Sequence, residues 1–164
     1  MIPDKSIYSD FNYLVDNFWS RPLTFVYEDI KVECTNCYSA GGRSNGIYRT
    51  GGPIPFEDGS ICPYCDGQGY QTVQNKEDSK ARMYFNRKDW KSIPPAVNID
   101  NIAAQMVFNI ADLNKILSCK HIIANYYSTD NGIILFLLAK PFPQGFPNNP
   151  SQYIITFWGL SKNV

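Results

Sequence analysis

Cys34-Thr35-Asn36-Cys37 and Cys62-Pro63-Tyr64-Cys65 are two Cys-x-x-Cys turns of identical spacing. Such a turn points both sulfurs at one spot, and two of them supply the four-thiolate tetrahedron that Zn²⁺ prefers. The 24 residues between Cys37 and Cys62 slightly exceed the usual zinc-ribbon gap, a difference that a longer loop absorbs. Small or turn-forming residues follow each pair: Tyr38-Ser39-Ala40-Gly41-Gly42 after the first, Asp66-Gly67-Gln68-Gly69 after the second. Glycine can take the positive φ that turns backbone N–H groups in toward thiolate sulfur. Cys34, Cys37, Cys62 and Cys65 are therefore expected to hold one structural Zn²⁺ per chain. The alternative is a pair of disulfides. Two features favour a reducing compartment and metal ligation instead: the cysteine count, five, is odd, and Met1 leads into Pro3, Asp4 and Lys5 rather than an apolar leader.

Other chemistries find little in the chain. A catalytic zinc keeps one coordination position open, whereas four thiolates close it. The zinc deaminases need His-x-Glu beside Pro-Cys-x-x-Cys, and the single histidine, His121, is followed by Ile122 and Ile123. One histidine in a strand-like segment also gives a Ser–His or Cys–His nucleophile no support. Cys119, two residues before it, reads as a small buried hydrophobe rather than a second metal or redox site. Gly67-Gln68-Gly69 precedes a strand, not the helix that a phosphate-cradling loop opens. No catalytic residues and no enzyme are expected.

The chain has 164 residues, zero formal net charge and a pI near 6.5. That length suits one domain, residues 1–164, with an ordinary core, and it makes the zinc segment, 34–70, an insertion rather than the whole fold. The longest apolar run, Ile133 to Ala139, is too short to span a bilayer and reads as a buried strand, so a soluble protein without a membrane partner is expected. A dedicated nucleic-acid binder carries a basic surplus, absent here apart from a local cluster of Arg82, Arg87, Lys88 and Lys91. Aromatics reach 15%, an excess that suits strands and interfaces.

Periodicity gives the elements. Ile7, Phe11, Leu14, Val15 and Phe18 predict an amphipathic helix over 6–19, ended by Arg21-Pro22. The period then switches to two at Leu23, Phe25 and Tyr27, with Ile30 and Val32 leading into the first knuckle. Residues 38–61, rich in glycine and holding Pro53 and Pro55, read as a loop closed by metal. Tyr70–Gln74 and Ala81–Asn86 read as strands flanking a polar turn at 75–79. Ala103–Ile110 is a further strand, and Asp112 caps a short helix through Leu117. Lys120–Tyr127 and Gly132–Lys140 form a hairpin about Asn131-Gly132. A proline-punctuated loop carrying Phe142 and Phe146 precedes a last strand, Tyr153–Leu160. Six to eight strands, two helices and no βαβ rhythm predict a mainly β fold, an antiparallel barrel or sandwich.

Two resemblances follow. Cys62-Pro63-Tyr64-Cys65-Asp66-Gly67-Gln68-Gly69 resembles one knuckle of the cysteine-rich domain of DnaJ-type co-chaperones. It covers only that knuckle, the first pair lacks the Gly-x-Gly, no His-Pro-Asp occurs, and no chaperone function is implied. Over most of the chain, the order of elements is similar to that of a family of small tailed-bacteriophage neck proteins. The carriers are the N-terminal helix segment, Glu33-Cys34-Thr35-Asn36-Cys37, Gly51-Gly52-Pro53-Ile54-Pro55-Phe56 and Ile61 to Gly69. Further along they are Asp89-Trp90, Asp112-Leu113-Asn114-Lys115, Pro143-Gln144-Gly145-Phe146 and the strand around Trp158.

The resemblance implies a head-to-tail connector or head-closure subunit, assembled in the host cytoplasm into a homo-oligomeric ring, a dodecamer or hexamer, in the virion. Its neighbours would be portal, neck or tail proteins. The terminal helix, the zinc loop and the Phe142/Phe146 loop are the projections such a subunit would use, although both phenylalanines could equally fold back on their own core. Zero net charge suits a wall that DNA slides past. A zinc-ribbon nucleic-acid-binding or regulatory module is the alternative, and it would need Arg43, Arg49, Arg82, Arg87 and Lys88 on one face. An enzyme with a pocket between sheet and helix would need clustered carboxylates, which spacing does not reveal.

Overall fold

The computed structural model describes residues 19–49, 56–125, 132–144 and 153–160. The helix expected over 6–19 lies outside them save for Trp19, as do Phe146 and the tip of the expected hairpin. In chain order the strands are β1 (Arg21–Val26), β2 (Ile30–Glu33), β3 (Cys37–Ala40), β4 (Arg43–Tyr48), β5 (Tyr70–Val73), β6 (Lys76–Tyr84), β7 (Ala104–Asn109), β8 (His121–Ala124), β9 (Ile133–Leu137), β10 (Phe142–Gln144) and β11 (Tyr153–Gly159). Among the described residues one α-helix, α1 (Leu113–Ser118), stands between them. No helix among the described residues is long and apolar enough to cross a membrane. The chain divides into two compact units, Glu28–Asn75 and the remainder.

In the larger unit, six antiparallel strands close into a barrel in the order β11-β7-β6-β1-β8-β9, with β9 returning to β11. β9 and β10 share one edge of β11: Trp158 pairs with Leu137, and Phe142 pairs with Ile155. Pro141 lies between the two short strands, where a ladder donor is missing.

Alternation decides what fills the barrel. Leu23 and Phe25 of β1, Ala104, Met106 and Phe108 of β7, and Ile154 and Trp158 of β11 pack with Ile122 and Leu135 in one core. Trp158 Nε1 donates to Thr156 Oγ1 at 2.6 Å, and that hydroxyl donates to the Met106 carbonyl at 3.1 Å, so the buried polar atoms are satisfied. β7 and β11 are buried on their outer face too. There Ile102, Val107, Ile155 and Phe157 form a second apolar cluster, and Trp90, Ile93 and Val97 of the segment between β6 and β7 pack against it. Burial on both faces explains why these two strands read as continuous apolar runs.

Three expectations need correction. The polar stretch 75–79 is no turn: Lys76 to Ala81 pair with β1, Leu23 opposite Ser79 and Phe25 opposite Glu77. Thr24 Oγ1 donates to Asp78 at 2.8 Å on one face, and on the other Lys115 of α1 pairs with Glu77 at 2.7 Å. Polar residues persist in the strand because solvent lies on one face and the polar end of α1 meets the other. Asp112 stands at the N-cap of α1 but makes no side-chain cap, since its carboxylate pairs with Lys115 at 3.1 Å. The side chain that does cap is Asn109, accepting from Ala111 N–H in the preceding 3₁₀ turn. Finally, Ile133 and Ile134 are exposed and only Leu135 of β9 is fully buried: Ile134 points to the opposite face from Leu135, and Ile133, on Leu135's own face, stands at the end of the strand. Phe142 folds back, stacking on Phe157 with ring centroids 5.8 Å apart.

Glu77 joins a small network that gives the barrel a pH signature. It accepts from Tyr27 Oη at 3.0 Å and pairs with Lys115, which together hold its carboxyl below the ordinary range. Burial and the bond to Glu77 push the Tyr27 hydroxyl up to about 12. The Glu77 contribution is present above the ordinary glutamate pKa and lost as pH falls through the lowered value; the Tyr27 contribution is present below the ordinary tyrosine pKa and lost as pH rises through about 12. Glu77→Gln should therefore lower the thermal midpoint most between about pH 5 and pH 10, with the gap to the parent shrinking at both ends. A gap that did not change with pH would show that the network contributes nothing electrostatic.

Candidate metal centre

The Glu28–Asn75 unit is two ladders that bring the knuckles together. β2 and β5 pair from Ile30 opposite Val73 to Glu33 opposite Tyr70. The ladder runs one step further, Cys34 N–H donating to the Gly69 carbonyl at 2.9 Å, so the first knuckle opens beside the end of the second. The other connection comes from the segment expected to be a loop. β3 and β4 form a hairpin over Gly41 and Gly42, whose φ values of 62° and 80° are those of a type I′ turn. Gly-Gly between two short runs was the available sequence signal for it. β4 then docks on the second knuckle: Tyr48 N–H donates to Ser60 O at 2.8 Å, and Cys62 N–H to Gly46 O at 2.9 Å.

Close approach of these segments depends on two glycines. A Cβ on Gly46 would overlap the Gly67 carbonyl, and one on Gly69 would overlap the Ser44 carbonyl. Both have positive φ, and so do Gly67 at 74° and Asp66 at 49°, a residue type that tolerates this region. The resulting turn aims Gly69 N–H at Cys65 Sγ, 3.3 Å away, as expected of a glycine in that place. Ser44 Oγ donates to the Cys34 carbonyl at 2.8 Å and ties the hairpin to the first knuckle.

The four sulfurs of Cys34, Cys37, Cys62 and Cys65 are buried and all lie within 4.8 Å of one another. Cys34 Sγ is 3.8 Å from Cys62 Sγ, and Cys37 Sγ is 3.5 Å from Cys65 Sγ. Four sulfurs each about 2.3 Å from a common centre stand about 3.8 Å apart along the tetrahedron edges. A disulfide needs about 2.05 Å. The spacing suits a shared cation and not a bond, and these four residues could hold a metal ion. Burial pushes the Cys34 and Cys37 thiols upward. Burial also acts to raise Cys62, but the Tyr64 backbone N–H and the other three thiols outweigh it, and its pKa falls. Four thiolates in this space repel one another, and a divalent cation is the species that offsets that repulsion.

Aromatic packing around the cluster was the feature least visible in sequence. Tyr48 is fully buried, its ring centroid 6.3 Å from that of Tyr64 and 5.6 Å from that of Phe56. The other candidates lie elsewhere. Cys119 belongs to the barrel unit, where its thiol donates to Ile116 O at 3.3 Å and burial pushes it up to about 11. That suits an inert thiol. His121 begins β8, with its ring 5.7 Å from Phe136. Comparison with protein-family models, with curated proteins and with solved structures finds no match.

Elemental analysis of protein purified under reducing conditions should find about one metal ion per chain. Cys62→Ser should abolish it and expose amides from 28 to 75 to rapid hydrogen exchange, while β7, β8 and β11 keep their protection. Loss of protection throughout would show that the barrel needs the metal too. Gly46→Ala should weaken metal retention against a chelator while all four thiols remain, since it obstructs only the closing of the two knuckles.

Proposed function

We propose that this chain is a non-catalytic structural protein, a subunit of the head-to-tail neck of a tailed bacteriophage, with one structural Zn²⁺ held by Cys34, Cys37, Cys62 and Cys65. The observation that carries the structural reading is the closed donor set: four buried sulfurs within 4.8 Å of one another leave no coordination position for water or substrate. Zinc is preferred over iron because paired Cys-x-x-Cys knuckles of this kind suit a redox-inert structural ion. Bound there, the ion would fix the two knuckles to each other and supply no reaction.

A protein of this kind works through its surfaces. On the β2–β5 ribbon the alternation puts Ile30, Val32 and Val73 on one face, and all three are exposed. Apolar side chains in that arrangement are the material of an interface core. The neck assignment itself rests on the sequence resemblance, and the head-to-tail ring on the principle that a heterologous interface closes only when its rotation does. Phe142, packed against Phe157, is not part of the proposed interface. Of the residues that the nucleic-acid alternative needs, Arg43 and Arg49 belong to the metal-binding unit and Arg82, Arg87 and Lys88 to the barrel unit.

Mass spectrometry of purified particles should find the protein in the virion, and labelled antibody should place it at the neck. Its absence from particles, together with salt-dependent DNA binding by the purified chain, would overturn the connector reading and promote the regulatory zinc-ribbon alternative.

A further inference from the structure

Strand alternation places Arg82 and Tyr84 of β6, Gln105 and Val107 of β7 and Ile155 of β11 on the outer face of the barrel, with Arg82 opposite Val107 and Tyr84 opposite Gln105. Most of that face is covered, but beside the cover a cleft of about 300 Å³ stays open, lined by these residues and by Lys88, Asp89 and Lys91. Its floor, Val107 and Ile155, is apolar; its walls carry three cations against one carboxylate. This is the lower end of the volume range for small-ligand sites, which pair an apolar lining with a few placed polar groups.

The walls are held in place. Asn86 Oδ1 accepts from Lys88 N–H at 3.1 Å, capping the turn that carries Lys88 and Asp89. Trp90 Nε1 donates to the Tyr84 carbonyl at 2.8 Å. The Gln105 amide grips the Lys91 backbone at both ends, accepting from its N–H at 3.0 Å and donating to its carbonyl at 2.6 Å. Gln105 is itself 2% exposed, so this clamp is fixed in the barrel wall.

Arg82 is the unusual member. Its guanidinium carbon lies 5.0 Å from the centroid of the Tyr153 ring, and its Nε–H is buried with no hydrogen-bond acceptor among the described residues. A buried donor without an acceptor is costly, and a guanidinium recognises carboxylate and phosphate oxygens in a fixed fork geometry. Arg87, the fourth cation of the sequence cluster, differs: its charge is matched by Asp100.

We propose that this cleft binds an oxyanion, carboxylate or phosphate, carried on a flat apolar body. The oxyanion meets Arg82, Lys88 and Lys91, and the body lies on Val107 and Ile155 beside Tyr84. The site is independent of the metal centre and of the neck assignment.

The test is an amide chemical-shift titration of the full, metal-loaded chain with phenyl phosphate and, separately, benzoate; the tighter of the two identifies the oxyanion. Saturable 1:1 shifts are expected at Arg82, Tyr84, Lys88, Lys91 and Gln105, with benzyl alcohol producing none. The double variant Lys88→Gln/Lys91→Gln, altered only at exposed side chains, should bind about tenfold more weakly, and Arg82→Gln should bind weakest of all. The proposal is overturned if neither ligand saturates, if the shifts fall elsewhere, or if the lysine double variant binds like the parent. It is equally overturned if single-stranded DNA produces the shifts and the two small ligands do not.

Discussion

Convergence of four buried sulfurs on one point, where they could hold a metal ion, is the constraint around which the Glu28–Asn75 unit is built. Its core consists of the four cysteines and Tyr48, with Tyr64 packed against them. Burying one large side chain contributes about 2–3 kcal/mol. Ordering the backbone of even a short segment costs about 1–2 kcal/mol per residue, so that burial falls far short. A metal ion held by the four sulfurs would add binding free energy that exists only when the two knuckles are folded together. The β2–β5 ribbon, the β3–β4 hairpin and the glycine contacts are the geometry that lets four sulfurs meet.

The barrel unit is stabilised by a different means. Closure pairs all six barrel strands, so neither sheet face nor sheet edge relies on a metal. Its interior is filled by Phe25, Phe108, Trp158, Met106 and their neighbours, and Ile116 of α1 joins the same core. The segment between β6 and β7 covers part of the outer face with Trp90, Ile93 and Val97. That cover gives β7 and β11 a second buried face, and where it stops the cationic cleft begins. Packing of the barrel wall and presentation of Arg82, Lys88 and Lys91 are two results of one crossing segment.

The two units divide the chemistry accordingly. Sulfur ligands occupy a unit with almost no apolar core, while the barrel carries the core, the Glu77–Lys115 network and the cleft. A chain built this way can lose order in one part without an apolar reason for losing it in the other.

Spacing by itself picked out Cys34, Cys37, Cys62 and Cys65 as a group that could hold a metal ion, because a Cys-x-x-Cys turn brings its own two sulfurs together locally, and the fold brings the two pairs together. It also determined the antiparallel β class, since period-two alternation at Leu23–Phe25 and the absence of βαβ rhythm are local properties. The hairpin of β8 and β9 was legible for the same reason. Tertiary structure alone decided the rest. Lys76–Ala81 became a strand because β1 offered it a partner, although its own composition reads as a turn. Residues 37–48 turn at Gly41-Gly42, but the docking of that hairpin on the second knuckle needs the close approach that Gly46 and Gly69 permit, which no local propensity records. Asp112 was drawn from its capping role by Lys115, and Phe142 was drawn onto Phe157. The barrel's closure, the covered face of β7 and β11, and the meeting of Arg82 with Lys88 and Lys91 are long-range outcomes. They follow from which strands pair, and pairing is fixed by the whole set of burial and hydrogen-bond requirements rather than by any one segment.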